Sequence, residues 1–342
     1  MKKTSIGGQA LVEGIMMRGP ENTAMAVRNA SGRIIIEEWK TGSNVPKIFR
    51  IPILRGIYGM VTSLTVGYKC MMRSADIAMQ DILEEENADK SAVTDENKAD
   101  NANAENLTGK GDTLSSPDTK KSEKKTEDKK ENPAWVTLTM VISIILAFAL
   151  MIGLFIMLPT FVGGLIFSET EGFWSRLGRS AFEGIFKILL LVGYMWAISF
   201  MKDIRRTFMY HGAEHKTIFC YENGLPLTVE NIRKQGRFHP RCGTSFLILM
   251  LIVGIFVGFF ITVDSWALRF VIRLALLPLT VGIGYELIKF AGRHDNLLTK
   301  IISAPGIALQ HITVLEPDDS MIECAIEAMN RVIPEDPDKD NW

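Results

Sequence analysis

Between Asp203 and Ser245 the chain gathers three of its five histidines and two of its four cysteines. His211-Gly212-Ala213-Glu214-His215 forms an H-x-x-E-H pattern. Helical residues four apart stand one turn apart on the same face. His211 and His215 could therefore direct two imidazoles at one ion, with Glu214 close to that face. His239-Pro240-Arg241-Cys242 follows, its His and Cys three apart on a turn broken by Pro240. Imidazole and thiolate suit zinc, usually in tetrahedral geometry. The candidate ligands are His211, His215, His239 and Cys242, with Cys220 in reserve. If all four bind, the site is closed and structural. If three bind, a position stays open for water and Glu214 can act as general base, as in the inverted zincin pattern. The plainer reading of the same residues is a hydrogen-bonded helix cap without metal.

Positioning these groups falls to a chain whose charge is segregated. Its 342 residues are 47% hydrophobic and 23% charged, with a net charge of −1, a balance that points to no nucleic-acid partner. The charges crowd into a linker and the motif segment, and the apolar residues into long runs, which indicates a membrane protein with soluble parts. Cys70, Cys220, Cys242 and Cys324 form no C-x-x-C and no disulfide framework, as expected on a reducing cytoplasmic face. Met1 to Arg18 has no apolar core of the kind a signal peptide needs.

Residues 1–50 read as a soluble lobe, with a hairpin of Ala24–Arg28 and Arg33–Trp39 across Asn29-Ala30-Ser31-Gly32. Gly7-Gly8, Gly14 and Gly19-Pro20 read as loop punctuation, and Gln9, Glu13 and Arg18 as polar groups that could face the motif segment. Residues 51–83 read as an interfacial or re-entrant helix, with a membrane span over 51–72 as the alternative, continuing as an amphipathic helix. Residues 84–132 read as a disordered charged linker without an aromatic residue.

Four transmembrane helices are expected: Trp135–Leu158 and Ile185–Met201 within 133–202, and Phe246–Val263 and Phe270–Ala291 within 246–291. Gly254-x-x-x-Gly258 signals close helix packing. Glu286 is expected to pair with Lys289, one turn on. The motif segment, 203–245, reads as a helix over Lys202–Tyr221 and a short helix from Thr228 to Gln235. The soluble tail, 292–342, reads as a turn, a strand at Ile312–Leu315, and a helix capped by Asp319 or Ser320. One apolar face of that helix carries Met321, Cys324, Ala325, Ala328 and Val332. His294 and His311 read as surface histidines. Lys120, Lys121, Lys124, Lys125, Lys129 and Lys130 precede the first span, and eight more cations from Lys202 to Arg241 separate the second from the third. The opposite loops offer Arg176, Arg179 and Arg269. This bias places both termini and the motif segment in the cytoplasm.

Three stretches in this order, "GGQALVEGIMMRGP", "HGAEHKTIFCYENG" with "HPRCGTSF", and "APGIALQHITVLEPDD", resemble the YqhQ-like bacterial membrane proteins. That family is a domain of unknown function described as metal-dependent enzymes by prediction. The resemblance covers nearly the whole chain outside 84–132. By position it points to Gln9, Glu13, Gly14, Met17 and Arg18 in the first stretch. In the second it points to His211, Glu214, His215, Lys216, His239, Arg241 and Cys242, and in the third to Pro305, Gly306, Gln310, Glu316 and Asp318.

The fold expected is an α-helical polytopic membrane protein, with a small α+β cytoplasmic lobe built from the N-terminal segment, the C-terminal segment and the central loop. The function expected is a zinc-dependent hydrolase acting at the cytoplasmic surface of the bacterial inner membrane. Its partner is the lipid bilayer, and a peptide or a lipid head group its substrate. The competing expectation is a non-enzymatic scaffold or assembly factor that binds a membrane-protein partner, with the His/Cys cluster structural. A transporter fits less well, because the spans carry few ionisable groups and show no internal repeat.

Overall fold

The computed structural model describes residues 3–42, 45–104, 133–167, 173–261, 263, 265–294 and 296–340. The six lysines expected to flank the first span lie outside them. The chain divides into two compact units, residues 1–81 with 159–342, and residues 82–158.

The first unit contains a four-stranded antiparallel meander: β1 (Gly7–Leu11), β2 (Gly14–Arg18), β3 (Asn22–Arg28) and β4 (Ile34–Lys40), in that order. The β3–β4 hairpin matches its sequence signals, including Gly32 at φ +83° in the turn. β1 and β2 replace the expected glycine-rich loop. Their glycines serve close approach instead: a Cβ at Gly14 would strike the Ala26 carbonyl, and one at Gly19 the Val332 carbonyl. Successive strand residues face opposite ways. Ile15, Met17, Ala24 and Ala26 pack on two helices, α5 (Lys202–Glu222) and α10 (Asp319–Val332). Leu11, Met16, Met25 and Val27 pack on Cys70 and Ile77 of α1 (Leu54–Ala104).

α1 is one continuous helix, without a re-entrant break, and extends into the segment read as a linker; residues 105–132 lie outside those described. The expected tail helix is α10, but its cap is Asp318 and not Asp319 or Ser320: the Asp318 carboxylate accepts the Met321 N–H at 3.0 Å. All five residues of its predicted apolar face are buried.

Three stretches are long and apolar enough to cross a membrane: Ile145–Ile166, Leu177–Ile198 and Phe270–Arg293. They lie in α2 (Pro133–Ile152) with α3 (Leu158–Ile166), in α4 (Phe173–Ile198), and in α8 (Trp266–Arg293). The fourth expected span, α7 (Gly243–Phe259), is apolar but only 17 residues long. A π-helical turn at Gly153–Met157 carries the first run past Pro159, where a stop was expected. α4 begins twelve residues before the expected Ile185 and takes in Arg179, which pairs with Glu183 one turn on, at 3.1 Å. Glu286 pairs with Arg55 of α1 and not with Lys289, whose ammonium lies 5.9 Å from the Tyr285 ring centroid.

The stretch expected as a turn and strand is a helix, α9 (Leu297–Thr313), capped by Asn296 and holding Pro305 inside it. Extended backbone starts only at Val314, and the Leu315 N–H donates to the Phe208 carbonyl at 3.0 Å. Gly212 lets the tail cross α5, since a Cβ there would collide with the Leu315 carbonyl.

Candidate metal centre

α5 carries His211, Glu214 and His215 on adjoining turns, as the spacing predicts. Cys242 is the N-cap of α7; its sulfur accepts the Thr244 N–H at 3.4 Å and lies 3.2 Å from the Thr244 hydroxyl. The two elements meet so that one donor atom each of His211, His215 and Cys242 lies within 4.8 Å of the others. His211 Nε2 is 3.1 Å from Cys242 Sγ, and the two imidazole centroids are 4.5 Å apart.

Both rings are oriented from behind. His211 Nδ1 donates to the Thr313 carbonyl at the end of α9, at 3.0 Å, and His215 Nδ1 to the Arg237 carbonyl at 2.6 Å. A carbonyl can only accept, so these bonds place the proton on Nδ1 and leave Nε2 as a donor of electrons toward the cluster. Burial, followed by the charge on His211, lowers the affinity of His215 for a second proton. Burial alone would push the Cys242 thiol up, but the facing His215 and the Thr244 hydrogen bonds hold it below its ordinary value. Two imidazoles and a thiol held below its ordinary value form the donor set that a soft or borderline divalent cation takes.

Glu214 is buried against β1. A Cβ on Gly8 would sit 2.9 Å from its side chain. Burial raises its carboxyl to about 7, against the opposing effects of His211 and the Gly8 N–H. Gly8 also lines a cavity of about 450 Å3, with Gly7, Gln9, Arg18 and Ser63. Glu13 faces the motif segment, binding Arg206 at 2.5 Å and the Tyr210 hydroxyl at 3.3 Å, whereas Gln9 turns toward Gly67 of α1.

His239 stands beside the cluster, its ring centroid 5.6 Å from that of His215, but is not one of the three convergent donors. Its Nε2 lies 3.5 Å from Glu222 and its ring packs on Phe219. Glu222 also binds Arg241 and accepts the Thr4 N–H at 2.9 Å. Burial would raise this carboxyl, but the His239 and Arg241 hydrogen bonds hold it below the usual carboxylate range. Gln310, fully buried, fixes the same turn: it accepts the His239 N–H at 2.8 Å and donates to the His239 carbonyl at 2.7 Å and the Ser245 hydroxyl at 3.0 Å. Glu222 escaped the sequence reading, although it lies seven residues after His215 on the same face of α5.

The other residues that the resemblance singled out have structural partners. Lys216 pairs with Glu316, Gly306 packs on Ser245, and Asp318 caps α10. Cys220 is buried beside the Pro226 carbonyl, 3.5 Å away, outside the cluster. His294 is exposed at the end of α8, and His311 stacks on Phe238.

The chain belongs to the family described as "Protein of unknown function (DUF1385)", whose family model matches residues 51–335. It is similar to the "Uncharacterized protein YqhQ" of Bacillus subtilis (strain 168), with 32% identity over 332 residues, covering 96% of this chain and 92% of that protein. No solved structure matches. The expected kinship with YqhQ-like proteins therefore holds. The metal-dependent activity expected with it receives no support from these comparisons.

Proposed function

We propose that His211, His215 and Cys242 hold one divalent cation, zinc by the chemistry of the donors, and that the centre serves hydrolysis at the cytoplasmic surface of the bacterial inner membrane. The observation that carries this reading is the size of the cluster: three donors converge, and the fourth candidate, His239, is engaged with Glu222. Three protein ligands favour a catalytic centre over a closed structural one. That count favours the enzyme over a scaffold whose metal is closed by four protein ligands. When bound, the cation would supply Lewis acidity toward a carbonyl or phosphoryl oxygen.

The chain's own residues supply the rest. The Thr313 and Arg237 carbonyls fix the two imidazoles. Glu214, one position from His215, accepts a proton at its carboxylate and is held in place by Gly8. The cavity beside Gly8 gives a substrate room to approach from the sheet side. The cytoplasmic placement is supported by the charge between α4 and α7, where Lys202, Arg205, Arg206, Lys216, Arg233, Lys234, Arg237 and Arg241 stand together. α4 ends and α7 begins next to this segment in the sequence, which supports a position for the cluster at one end of the apolar helices.

The test uses zinc-loaded full-length chain in vesicles, offered a random-sequence peptide library in one arm and phospholipid alone in the other. Mass spectrometry should find cleavage products in one arm with the wild type, and at least about 100-fold less product with Glu214→Gln at unchanged zinc content. Products from Glu214→Gln at the wild-type yield, or none from the wild type in either arm, would contradict the hydrolase.

A further inference from the structure

A second cavity, of about 270 Å3, lies among α4, α7 and α8 and shares no lining residue with the His/Cys cluster. Glu183, which lines it, precedes the end of α4 at Ile198 by about four turns, roughly 22 Å along the axis at about 1.5 Å per residue. Arg273 lines it from the early part of α8, so its charged groups lie in the other half of the helices, while its apolar lining reaches along α7 to Leu247.

Its polar groups are unbalanced. Glu183 is 1% exposed and takes Arg179 at 3.1 Å and Arg273 at 2.9 Å. Lys187, one turn after Glu183, lines the same cavity and makes no hydrogen bond or ion pair among the described residues. Among the described residues, one carboxylate therefore shares this site with three cations, two of them paired with it, inside stretches apolar enough to cross a membrane. Cations in a medium of low dielectric require counter-charge, and Arg and Lys together favour phosphate.

The rest of the lining is apolar. Met250, Ile255 and Leu276 form walls, and Leu277, 48% exposed, carries the lining out to the helix surface. Gly254 and Gly258 were expected to draw helices together. Here both line the cavity, and a Cβ at Gly258 would meet nothing within 4 Å. The glycines keep the space open.

We propose that this cavity binds the phosphate head of an anionic amphiphile, with Lys187 and Arg273 on the phosphate and the chain along the apolar wall that ends at Leu277. This site is separate from the metal centre and does not depend on it.

The test titrates the full-length chain, in uncharged detergent, with short-chain phosphatidic acid, matched phosphatidylcholine and inorganic phosphate, reading affinity from native mass spectra and thermal midpoints. Phosphatidic acid should bind at least tenfold more tightly than phosphatidylcholine, and inorganic phosphate at the same concentration should leave the midpoint unchanged. Lys187→Met should erase most of the preference, and it should fold because Lys187 has no partner to lose. Glu183→Gln should move affinity the other way, since it removes the competing carboxylate. Equal binding of the two lipids, an unchanged preference in Lys187→Met, or inorganic phosphate competing as well as the lipid would overturn the proposal.

Discussion

His211 Nε2 and Cys242 Sγ lie 3.1 Å apart across 31 positions of sequence, one on α5 and the other at the cap of α7. Neither residue can be exchanged without exposing the other's polar atom to a vacated position. Cys242→Ala removes the softest donor and should weaken cation binding by at least about 100-fold, since even indirect supports of a metal site cost 10–100-fold. Competition against a chromophoric chelator measures this. Wild-type affinity in Cys242→Ala would remove the thiol from the site.

Glu214→Gln keeps the shape of the buried side chain and removes the proton acceptor. Turnover should fall by about 100-fold or more, the usual contribution of a general base. Cation affinity should stay within a few-fold of wild type. A matched loss of both would make Glu214 a ligand.

Gly8→Ala places a Cβ 2.8 Å from the Met16 carbonyl and 2.9 Å from the Glu214 side chain. Overpacking of this kind costs about 1–3 kcal/mol. The displaced carboxylate should lower turnover more than cation affinity. Product formation and zinc content measured on the same sample separate the two effects.

Glu222 predicts an acid-side effect. Its native carboxyl is held below the ordinary value, so on acidification the unfolded chain takes up the proton first. The stability it contributes is full above about pH 4.5 and is lost as pH falls through the native value. Glu222→Gln should therefore flatten the fall in thermal midpoint below about pH 4.5. At pH 7 it should cost about 3–5 kcal/mol, the scale for breaking a buried ion pair. A midpoint that falls with acid as steeply in Glu222→Gln as in the wild type would contradict the assignment.

Periodicity revealed some of this architecture and concealed the rest. The i, i+4 spacing of His211 and His215 was enough to place them on one helix face, and the apolar face of α10 was readable from Met321 to Val332. β1 and β2 were hidden because Gly8, Gly14 and Gly19 look like loop residues, yet each sits where a backbone must approach another chain segment. Pro305 concealed α9 in the same way. The direction of the His239 turn was not legible, because Glu222, Arg241 and Gln310 set it through contacts between residues far apart in sequence. The pairing of Arg55 with Glu286 was missed for the same reason, whereas Lys289 was the nearer guess along the chain.

The central claim is that three residues, without His239, hold the cation. Metal content of the purified, detergent-solubilised chain tests it, measured for the wild type, His239→Ala and the His211→Ala/His215→Ala variant. About one zinc per chain is expected in the wild type and in His239→Ala, and none in the double variant. A wild type that folds without metal after chelator-free purification, or zinc that survives in the double variant, would contradict it.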